Sequence, residues 1–334
     1  MTVRATFVAA LTILGFAIAP GQGGGQTPPA PPTETMTTNI PGVVAGGTTI
    51  RVFKINTGGS EGPVVLPDGG IAFTERTSNR VFRIGMDDKV SLVVEDPGGA
   101  LGMGVDSKGR LIATLTAPPG KARIGVIYPK GQETVLADTC DGTPINRPND
   151  LIVSTKGGVY YTDPGPTDAE VADGYQKSDG IVCYIPPGGK AVKVAGGIKR
   201  PNGIGLSPDE KTLYDNESYG DSVLAFDVQP DGTARNRRPF AKYEVPATLK
   251  AGPGVQLGDG LVVDGAGRVY TVTSLIPWVQ VISPQGKTLG TIPLSRGVQN
   301  LVFAGPDKKT LYLTGGGYGS KIQMLAQGVK NRAK

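Results

Sequence analysis

The sequence predicts an all-β protein, a six-bladed β-propeller with a central metal-binding channel, and three observations lead to that prediction. First, a unit of two short apolar strands joined by a polar turn recurs six times along the chain. Second, apolar residues within each unit alternate at a period of two, as half-buried antiparallel strands require, and no stretch keeps a helical period. Third, the six units fill roughly 280 residues, or about 47 each, which is the length of one four-stranded blade.

All six units share one register. Each begins at a corresponding position, and its turn lies eight residues further on. The units begin at Glu61, Leu101, Asn149, Asn202, Asp259 and Asn300, and their turns lie at residues 69, 109, 157, 210, 267 and 308. A further strand pattern at Thr49–Lys54 precedes the first unit. We expect that strand to close the ring beside the last blade, around Lys321 to Leu325.

The segments that flank the repeats are predicted to lie outside the propeller, which we place at residues 44–328. Residues 1–19 combine Arg4, an apolar stretch and a small-residue cleavage site, as in a signal peptide; a buried strand or helix is the alternative. Residues 20–43 are rich in Gly, Pro and Thr and predict a flexible linker, whereas residues 329–334 predict a basic, solvated tail. We therefore expect a periplasmic or secreted protein with no membrane span in its mature form.

The composition excludes several classes of chemistry, because the 334-residue chain contains no histidine. Ser-His-Asp and Cys-His nucleophile systems are excluded, and so are histidine-ligated zinc and iron sites. The net charge is +5, but no basic stripe is interleaved with aromatic residues, so we expect no nucleic-acid partner. Cys140 and Cys183 form either a disulfide, which an oxidising compartment allows, or two buried thiols.

The first residues of the six units are expected to meet across the channel, because the innermost strands of a propeller surround its axis. Five of these six positions carry a carboxylate or a carboxamide, and Leu101 is the exception. Such oxygen ligands are typical of sites for hard cations, and Glu61 and Asp259 together balance the charge of one divalent ion. We predict one divalent metal ion, with Ca²⁺ as first choice and Mg²⁺, Zn²⁺ or Mn²⁺ as alternatives. The other interpretation is that Asn202-Gly203 and Asp259-Gly260 are ordinary turn residues.

Several motifs at these positions resemble those of the senescence-marker-protein, gluconolactonase and luciferin-regenerating enzyme family. The resemblance covers nearly all of residues 58–325. It rests on Glu61-Gly62-Pro63, Arg147-Pro148-Asn149-Asp150, Tyr161-Thr162-Asp163-Pro164, Pro201-Asn202-Gly203, the stretch Ser207–Tyr214 and Asp259-Gly260. Two segments depart from the family pattern: Tyr214–Ser218 is more acidic than usual, and residues 165–178 replace an aromatic-rich loop.

The resemblance implies a single divalent metal in the channel and hydrolysis of a lactone or a related ester. It implies that Glu61, Asn202 and Asp259 are metal ligands. Asn149 matches a position that is a ligand in some members and a substrate contact in others. Arg147 matches an arginine that holds polar substrate oxygens, and we expect Asn300 to line the same pocket. Related propellers cleave organophosphorus bonds at a similar site.

The function predicted from these residues is an exported, metal-dependent lactonase that takes a small lactone as its substrate. Without histidine, the best general base for the attacking water is the carboxylate of Asp259, and direct attack by Asp259 is a variant. Two alternatives stay open: a propeller that binds a protein, glycan or cell-wall ligand without catalysis, and a phosphotriester or fluorophosphate hydrolase that uses the same channel.

Overall fold

The computed structural model describes residues 31–55, 59–168, 179–250, 252 and 254–334, and residues 32–334 form one compact unit. Within this unit, six antiparallel sheets of four or five strands each pair strands that are mostly neighbours in the chain. Two strands precede the first blade, β1 (Thr35–Met36) and β2 (Thr49–Lys54). Each sheet is one blade, so the predicted six-bladed β-propeller is confirmed.

Blades one to three follow in chain order, and each begins with its innermost strand. Their strands are β3 (Glu61–Val65), β4 (Ile71–Glu75), β5 (Arg80–Ile84) and β6 (Val90–Glu95); β7 (Ala100–Val105), β8 (Leu111–Leu115), β9 (Arg123–Tyr128) and β10 (Thr134–Ala137); and, after a hairpin of β11 (Thr139–Cys140) and β12 (Thr143–Pro144), β13 (Leu151–Val153), β14 (Val159–Asp163), β15 (Gly180–Ile185) and β16 (Val192–Ile198).

Blades four to six have the same order. Their strands are β17 (Pro201–Leu206), β18 (Thr212–Glu217), β19 (Ser222–Val228) and β20 (Ala234–Lys242); β21 (Leu261–Val263), β22 (Val269–Thr273), β23 (Ile276–Ile282) and β24 (Thr288–Pro293); and β25 (Asn300–Ala304), β26 (Thr310–Gly315) and β27 (Tyr318–Gln323). The sixth blade is completed by β2, which pairs antiparallel with β27 and brings Arg51 opposite Lys321. The predicted closure of the ring by residues 49–54 is therefore confirmed.

The core consists of six apolar clusters, one at each interface between neighbouring blades. Between blades three and four, for example, Ile152 and Tyr160 pack with Leu213 and Phe226. The alternation at a period of two makes this possible, because each strand turns one set of side chains to the preceding blade and the other set to the following blade. Apolar residues on both faces of the inner strands therefore hold the channel walls rigidly in place.

The six predicted turn positions adopt one conformation. Residues 69, 109, 157, 210, 267 and 308 all have positive φ, between +52° and +86°. Four of them are glycines, for which this left-handed region carries no steric penalty. The spacing of eight residues from unit start to turn therefore corresponds to a real structural register, and it places the first residues of the units at one end of the channel.

Gly203 marks the close approach of two blades, not a turn. Its φ is not in the left-handed region, and its N–H donates to the Asp259 carbonyl oxygen at 2.9 Å. A Cβ at Gly203 would lie 2.3 Å from that oxygen and 2.6 Å from the Leu261 nitrogen. The interpretation of Asn202-Gly203 as an ordinary turn is thereby excluded, since the glycine lets blades four and five meet beside the channel.

We expect Gly203→Ala to destabilise the protein by about 1–3 kcal/mol, because the new methyl group must push two inner strands apart. Gly59→Ala is the matched control, since a Cβ there meets nothing within 4 Å and φ is not left-handed. Urea unfolding of both variants measures the difference. Equal stability of the two variants would show that the inner strands move apart at little cost.

The segment before the propeller differs from the predicted flexible linker. Residues 1–30, which include the predicted signal peptide, lie outside the described residues. From Thr35 onward, however, the chain packs against the sixth blade: β1 pairs with β2, and Ile40, Val43 and Val44 are buried in the cluster between blades five and six. The linker prediction is therefore wrong for the end of its range, because Ile40 and Val43, which lie within residues 20–43, are buried in this cluster.

Within the described ranges, no helix is long and apolar enough to cross a membrane.

Candidate active site in the central channel

Four of the predicted site residues come together where the innermost strands begin. Glu61 is the first residue of β3, Asn300 the first of β25 and Asn202 the second of β17, while Asp259 lies two residues before β21. The Nδ2 of Asn300 donates to Oε2 of Glu61 at 3.0 Å, and the Gly62 N–H donates to the same oxygen at 2.8 Å. The Asn202 side chain hydrogen-bonds to the Asp259 carboxyl group. Four blades thus contribute one polar side chain each.

Glu61 and Asp259 are carboxyl groups in one enclosed channel, and each disfavours ionisation of the other. Burial raises the pKa of Asp259 well above its ordinary value, and the charge of Glu61 raises it further. Burial also raises the pKa of Glu61, while the hydrogen bonds from Gly62 and Asn300 act in the opposite direction. A cation between two such groups would favour their ionised forms.

The donor set fits a hard cation. Asn202 is only 4% exposed, and its Oδ1 has no hydrogen-bond partner among the described residues. A buried amide oxygen without a partner is costly, and coordination to a cation would satisfy it. The part of the chain that the structure describes holds no group of three or more acidic or cysteine side chains able to bind a metal. The predicted site therefore depends on amide oxygens beside two carboxylates.

Side chains of blade four hold the Asp259 segment in place. Asn216 in β18 donates through Nδ2 to the backbone oxygens of Asp259 and Gly260, at 2.8 and 3.0 Å. Ser218 donates through Oγ to the Gly258 oxygen at 2.6 Å. Sequence analysis missed this support, and the only signal for it was the departure of residues 214–218 from the family pattern.

Arg147 and Asn149 lie on the segment that enters blade three, and both are fixed through their backbones. The carboxyl group of Asp163 accepts the N–H groups of Arg147 and Asn146, at 3.1 and 2.8 Å. The Asn149 N–H donates to the Thr162 oxygen at 2.8 Å. Arg147 is buried, whereas Asn149 keeps partial exposure. The roles of both residues toward metal or substrate stay predictions.

A disulfide tethers this same region. Cys140 in the β11–β12 hairpin is bonded to Cys183 in β15, so the two cysteines are not free thiols. The hairpin comes directly before residues 145–149, which carry Arg147. The disulfide therefore anchors the start of that segment to the third blade.

Two charged residues that sequence analysis left out also reach the channel. The carboxylate of Asp150 raises the pKa of Glu61 and of Asp259. The Nζ of Lys334 forms a salt bridge with Asp150. The prediction that residues 329–334 form a solvated tail is therefore wrong for Arg332 and Lys334, which are 5% and 7% exposed. The tail carried no local signal for burial, because other blades provide the groups that bind it.

The raised carboxyl pKa values predict how the metal-free protein responds to pH. Glu61, Asp163, Asp215 and Asp259 all have raised pKa values in the folded state, chiefly through burial. Above about pH 4.5 an unfolded chain has released these protons while the folded protein keeps some of them, so stability falls as pH rises. No imidazole titrates in this range, because the chain lacks histidine.

We therefore expect chelator-treated protein to lose stability steadily between about pH 5 and pH 7.5. Urea unfolding at fixed ionic strength measures this slope, and Asp259→Asn is expected to make it shallower. A free energy of unfolding that is constant or rises across this range would contradict the prediction.

The sequence profile of the SMP-30/Gluconolactonase/LRE-like region matches residues 59–316. The chain belongs to this family. The resemblance inferred from the motifs is thereby confirmed, and the matched range runs from the two residues before β3 into the sixth blade.

Two characterised relatives of the family are similar over most of the chain. A gluconolactonase from Zymomonas mobilis subsp. mobilis is 27% identical over 291 residues, which are 80% of this chain and 79% of the relative. A pentonolactonase from Haloferax volcanii is 26% identical over 277 residues, which are 81% of this chain and 86% of the relative.

Solved structures show the same fold. A gluconolactonase from Xanthomonas campestris matches with a TM-score of 0.73 and 25% identity, over 89% of this chain and 99% of that one. A calcium-binding regucalcin from Agrobacterium tumefaciens matches with a TM-score of 0.68 and 15% identity, over 84% and 95%. At that identity the second match speaks for the fold alone.

Proposed function

We propose that this protein is an exported, metal-dependent lactonase that hydrolyses a sugar lactone or a related cyclic ester. The observation that carries the proposal is the pair of enclosed carboxyl groups, Glu61 and Asp259, set among amide side chains where the inner strands begin. The relatives named gluconolactonase and pentonolactonase support the choice of lactones within this family.

The residues that would hold the metal are Glu61, Asn202 and Asp259, with Asn149 as a fourth ligand or a substrate contact. Carboxylate and amide oxygens are typical ligands of Ca²⁺, which is our first choice, while Mg²⁺, Zn²⁺ and Mn²⁺ remain to be compared with it. When bound, a divalent ion supplies a Lewis acid for the carbonyl oxygen of the substrate.

The Asp259 carboxylate takes the proton of the water that attacks the lactone carbonyl carbon. The ring C–O bond then breaks, and the proton passes to the departing ring oxygen, so the product is a hydroxy acid. Asp259 suits this work because a carboxylate is the proton acceptor available at the site in a chain without histidine. Asn216 holds the Asp259 backbone in place during the reaction.

The substrate is oriented by groups beside the channel. Arg147 would donate to hydroxyl or carbonyl oxygens of the lactone, since its guanidinium presents several donors in one plane. Asp163 keeps the Arg147 backbone in place, and the disulfide restrains the chain before it. Asn300, which donates to Glu61, would line the pocket and orient that carboxylate.

Export is supported by two independent features of the chain. Residues 1–19 have the pattern of a signal peptide. The bonded pair Cys140–Cys183 suits an oxidising compartment such as the periplasm or the exterior, since cytosolic thiols are kept reduced.

A substrate panel tests the proposal. Purified protein supplied with Ca²⁺, Mg²⁺, Zn²⁺ or Mn²⁺ is given five- and six-membered aldonolactones, a phosphotriester and a fluorophosphate, and acid release is followed against buffer alone. We expect acid release from at least one lactone. Cleavage of the phosphorus substrates alone would favour the phosphotriesterase alternative. Inertness toward every compound would favour a propeller that only binds its ligand.

A further inference from the structure

The segment Val329–Lys334 lies across the end of the channel opposite the candidate site. The Val65 N–H donates to the Ala333 oxygen at 3.1 Å. The Arg332 guanidinium donates to the backbone oxygens of Leu206 and Ser207, at 2.6 and 2.9 Å. Val65 and Leu206 are the last residues of inner strands β3 and β17, whose first residues lie at the candidate site. The segment therefore joins blades one and four across the channel.

Lys334 extends from this segment into the channel. Its Nζ pairs with Oδ2 of Asp150, and the two side chains are only 2% and 1% exposed. The other oxygen of Asp150 accepts the Leu151 N–H at 2.8 Å. Asp150 directly precedes β13, so the ammonium group reaches the level at which the inner strands begin, which is the level of Glu61 and Asp259.

The charge of Lys334 changes the balance of the channel. Glu61, Asp150 and Asp259 act on one another electrostatically and together would carry three negative charges. Arg200 lowers the pKa of Asp259, so the channel holds cationic as well as acidic groups. The ammonium of Lys334 offsets the charge of Asp150 and also lowers the pKa of Glu61, so it makes the potential at the candidate metal ligands less negative.

We propose that Lys334 is a positioning residue, a built-in cation that neutralises Asp150 and limits the affinity of the channel for a divalent metal ion. This inference rests on the proposed metal-dependent function. A plug that only closes the channel would not need a charge at this position, because the backbone of Ala333 and the Arg332 side chain already hold the segment in place. A role limited to closing the channel therefore does not explain why the segment buries an ammonium group.

The test is the affinity for Ca²⁺ of chelator-stripped protein, measured by isothermal titration calorimetry at fixed ionic strength. We expect Lys334→Met to bind Ca²⁺ about tenfold more tightly than the wild type, because it makes the net charge of the channel more negative by one. We expect Asp150→Asn to bind Ca²⁺ about tenfold more weakly, because it makes that net charge more positive by one. The double variant Asp150→Asn/Lys334→Met has the same net charge in the channel as the wild type, and its Ca²⁺ affinity should lie within about threefold of the wild-type value. Lys334→Arg keeps the charge and should behave as the wild type.

Lys330→Met is the matched control, since Lys330 is an exposed lysine of the same segment, and its Ca²⁺ affinity should be unchanged. Equal affinities of Lys334→Met, Lys334→Arg and the wild type would overturn the inference while leaving the proposed function standing. Absence of Ca²⁺ binding by the wild type, with the other three cations equally inert, would instead contradict the metal-dependent function. If Asp150→Asn does not fold, the comparison of the three lysine variants decides the question alone.

Discussion

Asp259→Asn is expected to lower lactone hydrolysis by about a thousandfold or more, because it removes a proton acceptor and weakens a metal ligand in one step. The amide keeps the size and shape of the side chain. Asn216 binds the backbone of residue 259, not its side chain, so the segment should stay in place. Steady-state acid release from the best lactone of the panel, with the cation in excess, measures the loss.

Asp231→Asn is the matched control, since it makes the same chemical change at an exposed turn after β19. Both variants should show wild-type circular dichroism and unfold cooperatively. A fully active Asp259→Asn enzyme would show that Asp259 is not the general base, and Glu61 and Asp150 would become the candidates for that role.

Removal of divalent metal is expected to abolish turnover, and its return to restore it. The Lewis acid supplies several kcal/mol of transition-state stabilisation, which corresponds to a loss of about a thousandfold. Re-addition of Ca²⁺, Mg²⁺, Zn²⁺ and Mn²⁺ in turn, followed by acid release, ranks the cations. Enzyme treated with chelator already saturated with Ca²⁺ is the control for effects of the chelator itself.

The same titration has a second readout that does not depend on activity. A cation that binds the folded state alone stabilises it by about 2.7 kcal/mol at a hundred times its Kd. We therefore expect the melting temperature of stripped protein to rise with added cation, and Glu61→Gln to reduce that rise. Undiminished turnover after complete stripping would rule out metal dependence while leaving a lactonase without metal.

Much of the fold could be predicted from local pattern. The alternation of apolar residues places one set of side chains in each blade interface, and the turn eight residues into each unit requires a left-handed residue such as Gly69 or Gly157. All six units share this register. Their first residues were therefore predicted to lie at one end of the channel, and these include Glu61, Asn202, Asp259 and Asn300. Local periodicity is a property of the sequence itself, and the propeller converts it directly into geometry.

Contacts between distant segments could not be predicted in this way. Ile40 and Val43 sit in a stretch whose composition is typical of a linker, yet they complete the cluster between blades five and six. Lys334 lies in a run of basic residues typical of a solvated end, yet it pairs with Asp150, 184 residues earlier in the chain. Neither segment has a periodic pattern, so nothing local distinguished it from a solvated one.

The absence of histidine and the six repeats were enough to predict a propeller with oxygen ligands at one end of its channel and a carboxylate as the candidate base. Only the tertiary structure decided that Asp150 and Lys334 enter the same channel, that Asn216 supports Asp259, and that Cys140 is bonded to Cys183. The physical reason is that these contacts depend on how blades and flanking segments pack in space. Repeat register specifies which residues face the axis, but the charge balance at the axis depends on every segment that reaches it.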